Sequence, residues 1–272
     1  MANFWKTLAE NKGIDVSEIS DTAASHEATW IQKLGGGAGS GGGSLKNSIQ
    51  NEVANMPDQA NLAGLWFLGY DVVANEGDVN NQRVFDWSGN ENHGLRGNST
   101  TPNTSSPEGT SFDGTADFVQ VTYAANMNTT TTSSVTLGSV AAQNAVSSSY
   151  VVSQNLFNRS IRYDLYGQVW GYFTGYRRAA ANRVLNTSEH YMVTGNGSNV
   201  NMYKNGFLSN NISSSVYNAD EAGQPLYIGR RSSGDYFSGA IHCVYLYTSD
   251  QSSNAALINT TINNILAGLG GQ

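Results

Sequence analysis

The densest run of side chains able to do chemistry is RSIRYDLYGQVWGYFTGYRR, residues 159–178. Tyr166, Trp170, Tyr172 and Tyr176 supply aromatic platforms, flanked by the guanidinium groups of Arg177 and Arg178. Sugar sites are built this way: a ring stacks on the apolar face of a pyranose while planar polar groups bond its hydroxyls. If the segment forms a hairpin, two-residue alternation puts Ile161, Tyr163 and Leu165 on one face and Arg162, Asp164 and Tyr166 on the other. Trp170 and Tyr172 likewise oppose Val169 and Phe173. One face is core, and the face carrying Tyr166, Trp170, Tyr172, Tyr176, Arg177 and Arg178 is the candidate binding surface. The competing reading has these aromatics filling a large hydrophobic interior. Arg230 and Arg231, ahead of the loop at 232–235, form a second rim candidate.

Carboxylates raise two further chemistries. Ca2+ takes six to eight oxygens from carboxylates and loop carbonyls, and Asp86, Asp113, Asp117 and Asp235 lie in loop segments that a β fold could gather at one rim. The competing reading, and the favoured one, has Asp86 and Asp113 capping turns through nearby backbone N–H groups. Retaining glycosidases need two carboxylates about 5–5.5 Å apart, commonly written E-x-D-x-x-E on one strand. The closest match is Glu76-Gly77-Asp78-Val79-Asn80-Asn81, with Asn where the second Glu must stand. No G-x-S-x-G nucleophile elbow occurs. His93 reads as a turn residue and His190 as packed at a strand start, while His26 and His242 have no evident partner. No catalytic residue is assigned, and the expectation is that the chain is not an enzyme.

Something must position these side chains, and from about residue 61 the hydrophobic pattern has period two. Segments 65–67, 118–121, 148–152, 161–165, 169–173, 191–194, 200–203, 226–228 and 240–247 read as strands, separated by Gly, Asn, Ser and Asp clusters. Many short strands imply a mainly β sandwich or jelly roll. The Thr/Ser-rich stretch 126–145 reads as an embellished loop. Residues 253–266 switch to helical spacing (Leu257, Ile258, Thr261, Ile262, Ile265, Leu266), a C-terminal helix packed on the sandwich.

Four sequence elements, in order, resemble a laminin-G-like (concanavalin A-like) jelly-roll domain across residues 61–272. The first is LAGLWFLGYD followed by Asp86, Ser88, Gly89, His93 and Gly94 in a D-x-S-G-x-x-x-H-G turn. The second is Ser111-Phe112-Asp113-Gly114 with Asp117-Phe118-Val119. The third is the His190–Val193 strand leading into VNMYKNGF, where Asn205-Gly206 supplies the positive-φ pair of a tight hairpin. The fourth is LYIGRRSSGDYFSGAIHCVYLY. The resemblance implies a β-sandwich with a lectin-like role and, at one rim, Ca2+. His242 stands where the family usually has an acidic residue, which departs from that pattern.

The first 60 residues lie outside this resemblance. Residues 1–34 hold two short helical patterns, with Phe4, Trp5 and Leu8 on one face and Trp30 and Ile31 on another. They read as an arm whose aromatic residues anchor in a partner. Residues 35–44 carry seven of the 30 glycines and read as a flexible linker, and 45–60 as a short connecting helix. A helical arm, a Gly tether and a lectin-like module resemble phage virion surface proteins, either capsid decoration or tail fibre. Capsid or tail proteins are then the partners of the arm, glycans or host-surface polymers those of the sandwich, and identical arms can assemble homo-oligomers. The alternatives are a bacterial extracellular adhesion module and an atypical glycan-active enzyme. A net charge of −7 with 13% charged residues argues against nucleic-acid binding and a polybasic membrane contact. The single Cys243 excludes an internal disulfide framework. No cleavable export signal or membrane-spanning run is legible, so the expected location is the virion surface, with extracellular display as the alternative.

Overall fold

A computed structural model describes residues 48–68, 83–97, 105–106, 109–128, 134–154, 159–173, 177–213 and 223–268. Phe4, Trp5, Leu8, Trp30 and Ile31, the 35–44 linker, the carboxylates at 76–78 and Tyr176 lie outside these residues. The chain divides into two units, 1–51 and 52–272. Of the first, residues 48–51 are described and are helical.

The second unit holds sixteen described strands: β1 (Leu62–Phe67), β2 (Arg83–Val84), β3 (Gly94–Gly97), β4 (Ser105–Ser106), β5 (Gly109–Asp113), β6 (Phe118–Val121), β7 (Val135–Gln143) and β8 (Ser149–Gln154), then β9 (Arg159–Tyr163), β10 (Gln168–Phe173), β11 (Arg177–Asn182), β12 (Glu189–Gly195), β13 (Asn199–Lys204), β14 (Phe207–Ser213), β15 (Leu226–Ile228) and β16 (Ser238–Tyr247). A helix, α1 (Ala255–Gly268), follows. The first sheet runs β14-β13-β12-β7-β16-β5-β4, and the second β11-β10-β9-β8-β15-β6-β3-β2. Strand β16 is long enough to pair with β5 through Ser238–Ile241 and with β1 through Cys243–Tyr247, so β1 and β5 share one of its sides. Every pairing is antiparallel, and the two sheets form a sandwich.

Alternation builds the interior. Val119 and Val121 of β6, Ile161 and Tyr163 of β9, and Val169 and Phe173 of β10 face Tyr191 and Val193 of β12 and Val244 and Leu246 of β16 in one buried cluster. Gly171 of β10 points at the opposite sheet, where a Cβ would lie 2.5 Å from the Val193 side chain. The absence of a side chain there lets the two sheets close up. The Asn205-Gly206 turn has φ of 50° and 82°, the backbone twist that a two-residue β-hairpin requires.

The stretch expected to be a loop at 126–145 contains instead β7, a buried strand between β12 and β16. Its sequence, VTLGSVAAQ, hides the strand because its outward positions are small: a Cβ on Gly138 would lie 2.0 Å from the Tyr245 ring. Strand β14 is hidden for the opposite reason. It is an edge strand, FLSNNIS, with Phe207 and Leu208 exposed, so no burial imposes a pattern on it.

Helix α1 buries Ile258, Ile262 and Ile265. It lies on the outer face of the first sheet, where Asn259 Oδ1 is 2.9 Å from His190 Nδ1 and the other His190 nitrogen is 2.7 Å from the Tyr245 hydroxyl. Burial lowers the His190 pKa to about 4, with the Asn259 bond opposing. This histidine is a core residue under a helix.

Candidate functional site

With α1 on the first sheet, the outer face of the second sheet is where the candidate residues collect. In β10, Val169 and Phe173 face the core, so Trp170 and Tyr172 point outward. Register places Trp170 beside Arg162 of β9, and Arg162 beside Tyr150 of β8. One row over, Tyr172 pairs with Ser160, Ser160 with Ser153, Ser153 with Tyr227 of β15, and Tyr227 with Gln120 of β6. Phe118 completes this face, its ring 6.2 Å from that of Tyr227 in an edge arrangement. Gly97 opposite gives it room, since a Cβ there would lie 1.9 Å from the Phe118 ring.

The arginines lie over these rings. Gly229, at φ 83°, turns the chain out of β15. The backbone of Arg231 and Gly234 then closes a tight loop, which is stitched to β8 by a 3.2 Å bond from Tyr150 N–H to the Asp235 carbonyl. Arg230 stacks 3.5 Å from the Phe118 ring centroid and 4.5 Å from that of Tyr227. Arg162 and Arg231 flank Tyr150 at 5.6 and 5.7 Å. Arg162 also donates to Ser148 Oγ at 2.5 Å and to the Tyr172 hydroxyl at 3.3 Å. Burial raises the Tyr150 pKa, against the pull of Arg162 and Arg231, so the ring stays a neutral platform. Tyr150 and Tyr172 are buried, whereas Trp170, Arg162, Phe118, Tyr227 and Arg230 keep part of their surface exposed.

At one end of this strip Asp164 organises the β9–β10 turn. Its carboxylate accepts from the backbone N–H groups of Tyr166 and Gln168 and, at 2.7 Å, from Trp170 Nε1. Burial raises its pKa, but these three donors outweigh it and leave the group below the usual carboxylate range. Trp170 is thereby held in one orientation, and Tyr166, 88% exposed, stands at the tip of the same turn. Leu165 is in this turn and exposed, not on a strand face.

Of the expected binding set, then, Trp170, Tyr172, Arg230 and Arg231 share one face, with Tyr166 at its end. Arg177 and Arg178 open β11, where Arg178 pairs with Tyr172 in the backbone ladder. Sequence reasoning left out Tyr150, Phe118, Tyr227 and Arg162 as binding residues. Arg162 was in phase with Trp170 and within reach of the alternation argument. The other three come from strands distant in sequence, and no local signal joins them.

The Ca2+ set does not assemble. Asp86 is buried and accepts from the N–H groups of Leu65, Ser88 and Asn92 and from the Ser88 hydroxyl. Asp113 accepts from the N–H groups of Thr115, Ala116 and Asp117 and from the Thr115 hydroxyl. Burial raises the Asp113 pKa, and those donors together outweigh it and hold the group well below the usual carboxylate range. Asp117 accepts from Asp113 N–H, and Asp235 is 3.1 Å from Arg231. Among the described residues no three acidic, histidine or cysteine side chains converge as a metal site. The carboxylates are committed to turns and a cation, and the donor set does not fit Ca2+.

The histidines find partners the sequence did not show. His93 Nδ1 accepts from Asp86 N–H at 3.0 Å, inside the turn motif. His242 occupies an irregularity in the β16–β7 pairing, 6% exposed, with Nε2 2.8 Å from Ser188 Oγ. Burial lowers its pKa to about 4.

The comparisons with known proteins agree with this architecture. No curated protein matches the sequence. Among solved structures, the chain is similar to Trypanosoma rangeli sialidase bound to 2,3-difluorosialic acid as a covalent intermediate, at 15% identity and TM-score 0.57, covering 82% of this chain and 38% of the sialidase. A T. rangeli sialidase mutant displaying trans-sialidase activity is similar at 14% identity and TM-score 0.57, with the same coverage. The receptor binding domain of botulinum neurotoxin C/D mosaic serotype is similar at 13% identity and TM-score 0.53, covering 77% of this chain and 52% of that domain. The chain thus spans less than two-fifths of the sialidases' length, and the likeness is one of fold. It corrects the expectation that the chain is not an enzyme, because glycan-active enzymes carry this fold. That expectation rested on a missing strand carboxylate motif, a missing nucleophile elbow and histidines read as turn, packing or unpartnered residues, which exclude particular arrangements and no others. The laminin-G model of the concanavalin A-like lectin/glucanases superfamily matches residues 98–255, and with the two-sheet sandwich already in view, the chain belongs to that superfamily.

Proposed function

We propose that the sandwich is a carbohydrate-binding module and that the outer face of its second sheet is the ligand surface. The observation that carries this reading is the convergence of Trp170, Tyr172, Tyr150, Tyr227 and Phe118 with three arginines on one sheet face. Membership of a lectin/glucanase superfamily supports it. The part-exposed rings of Trp170, Tyr227 and Phe118 supply stacking area, the buried Tyr150 and Tyr172 support Arg162 from beneath, and these fixed neighbours reduce the entropy lost when a sugar binds. A glycan array with the full chain is expected to return ligands, and Trp170→Ala is expected to weaken them by roughly tenfold or more, about 1.4 kcal/mol, with folding intact by circular dichroism. Unchanged affinity in that variant removes this face from the reading.

The biological setting is a phage particle, with the sandwich displayed outward as a decoration or tail adhesin on the virion surface and residues 1–34 attached to capsid or tail. What supports it is the order of parts in the sequence: aromatic arm, glycine tether, lectin-like module. Deleting residues 1–34 is expected to abolish incorporation into particles while the sandwich still folds. Normal incorporation of the truncated chain sinks this setting.

A further inference from the structure

The arginines of the binding face carry more information than sugar hydroxyls demand. The whole chain has a net charge of −7, yet this face gathers Arg162, Arg230 and Arg231. Among the described residues, Asp235 beside these arginines is paired with Arg231 and only pulls on Arg162 without an ion pair, and Asp164 is engaged by the turn and Trp170. Among the described residues neither Arg162 nor Arg230 forms an ion pair. The donors of Arg162 go to neutral hydroxyls, those of Ser148 and Tyr172. Arg230 donates through Nη1 to the Tyr236 hydroxyl at 3.3 Å, while its Nε is buried without a hydrogen-bond partner.

Hydrogen bonds to neutral hydroxyls do not neutralise a guanidinium, so Arg162, which feels Asp235 only without an ion pair, and Arg230 keep most of their charge for an incoming anion. Stacking on Phe118 and Tyr227 holds Arg230 in place, and like Arg162 it keeps part of its surface exposed. A carboxylate or sulfate reaching that exposed part meets a guanidinium charge and gains charge-assisted bonds. A neutral sugar hydroxyl gains less from that charge. The stacked rings have also already ordered the arginine, so little side-chain freedom remains to be lost on binding.

Resting on the reading of this face as a glycan surface, we infer that its ligand is an acidic polysaccharide, with carboxylate or sulfate groups held by Arg162 and Arg230 and pyranose rings stacked at Trp170. Affinity electrophoresis of the full chain tests this, in gels containing dextran, amylose or mannan as neutral polymers, or hyaluronan or dextran sulfate as acidic ones. Hyaluronan, dextran sulfate or both should retard the protein, and which of them does so identifies the acid. The neutral polymers should leave it unmoved. Arg162→Gln and Arg230→Gln should each weaken retardation by roughly tenfold, with Arg230→Lys retaining part of it. Circular dichroism checks each variant, and because Arg162 is not stacked on Phe118 its variant is informative if Arg230→Gln fails to fold.

The inference is overturned if neutral polymers retard the protein as strongly as acidic ones, if folded arginine variants behave as the original chain, or if duplex DNA at matched charge is bound equally well. Neutral binding that Trp170→Ala abolishes overturns the acidic ligand and leaves the glycan surface standing. Binding of none of these polymers, with an empty glycan array, removes both.

Discussion

At the residue scale, Gly138 shows how a missing side chain can decide a structure. It lies in the middle of β7, and Tyr245 of the neighbouring strand occupies the space above it, with ring atoms 2.0–2.5 Å from where a Cβ would be. The tyrosine cannot easily retreat, because its hydroxyl is bonded to His190, itself under α1. Gly138→Ala is therefore expected to destabilise the fold by about 1–3 kcal/mol, the usual cost of overpacking, read as a lower urea midpoint. A midpoint at or above that of the original chain would mean that the ring moves aside freely. The same reasoning explains why the turn carboxylates were better understood from sequence than the aromatics. Asp86 and Asp113 find their donors within a few residues of themselves, apart from Leu65 N–H, so the motif around each carries most of its role. Phe118 finds Arg230 more than a hundred positions away, and only strand order brings them together.

At the scale of elements, the two faces of the sandwich have different fates. The first sheet takes α1 on its outer surface. The helix contributes Ile258, Ile262 and Ile265 to burial and leaves Leu257 half exposed. Ile262→Ala is expected to cost about 2–4 kcal/mol through lost burial and the cavity left behind, whereas Leu257→Ala should stay within about 0.5 kcal/mol. Equal effects in urea denaturation would mean that the helix is not docked by this stripe. Helical spacing at residues 253–266 announced the helix, and period two with large apolar side chains announced β1, β6, β8, β9, β10, β12, β13, β15 and β16, because the core face of each must carry bulky apolar groups. Strand β7 is as buried as β1, β8 and β12, and it escaped because the space allotted to its outer side chains is small and its residues are mostly small or polar. Strand β14 escaped because most of it is exposed.

At the scale of the whole molecule, buried titratable groups on different elements act together on stability. His190 in β12 and His242 in β16 both have pKa values lowered to about 4, in each case first by burial. An unfolded chain would protonate them near 6.5, so between pH 6.5 and 4 the unfolded state binds more protons and stability rises with pH. Stability is thus complete above about pH 6.5 and falls as pH drops towards 4, by on the order of 3 kcal/mol for each histidine. The depressed carboxyls of Asp113 and Asp164 add a further loss below about pH 4. The melting temperature should accordingly decline between pH 6.5 and 4, and a His190→Asn variant should show a shallower slope there. A flat profile down to pH 4.5 would contradict the burial of both rings. Taken together, the sequence by itself determined the β-sandwich, most of its strands, the tight Asn205-Gly206 hairpin, the terminal helix and the pairing of Trp170 with Tyr172 on one face. These follow from periodicity and turn chemistry, which act over a few residues. Only the tertiary structure decided that α1 covers the first sheet, that the four aspartates do not converge on one site, and that Arg162, Arg230 and Arg231 lie with rings from β6, β8 and β15. Those outcomes depend on strand order and register across the whole chain, and no local pattern encodes them.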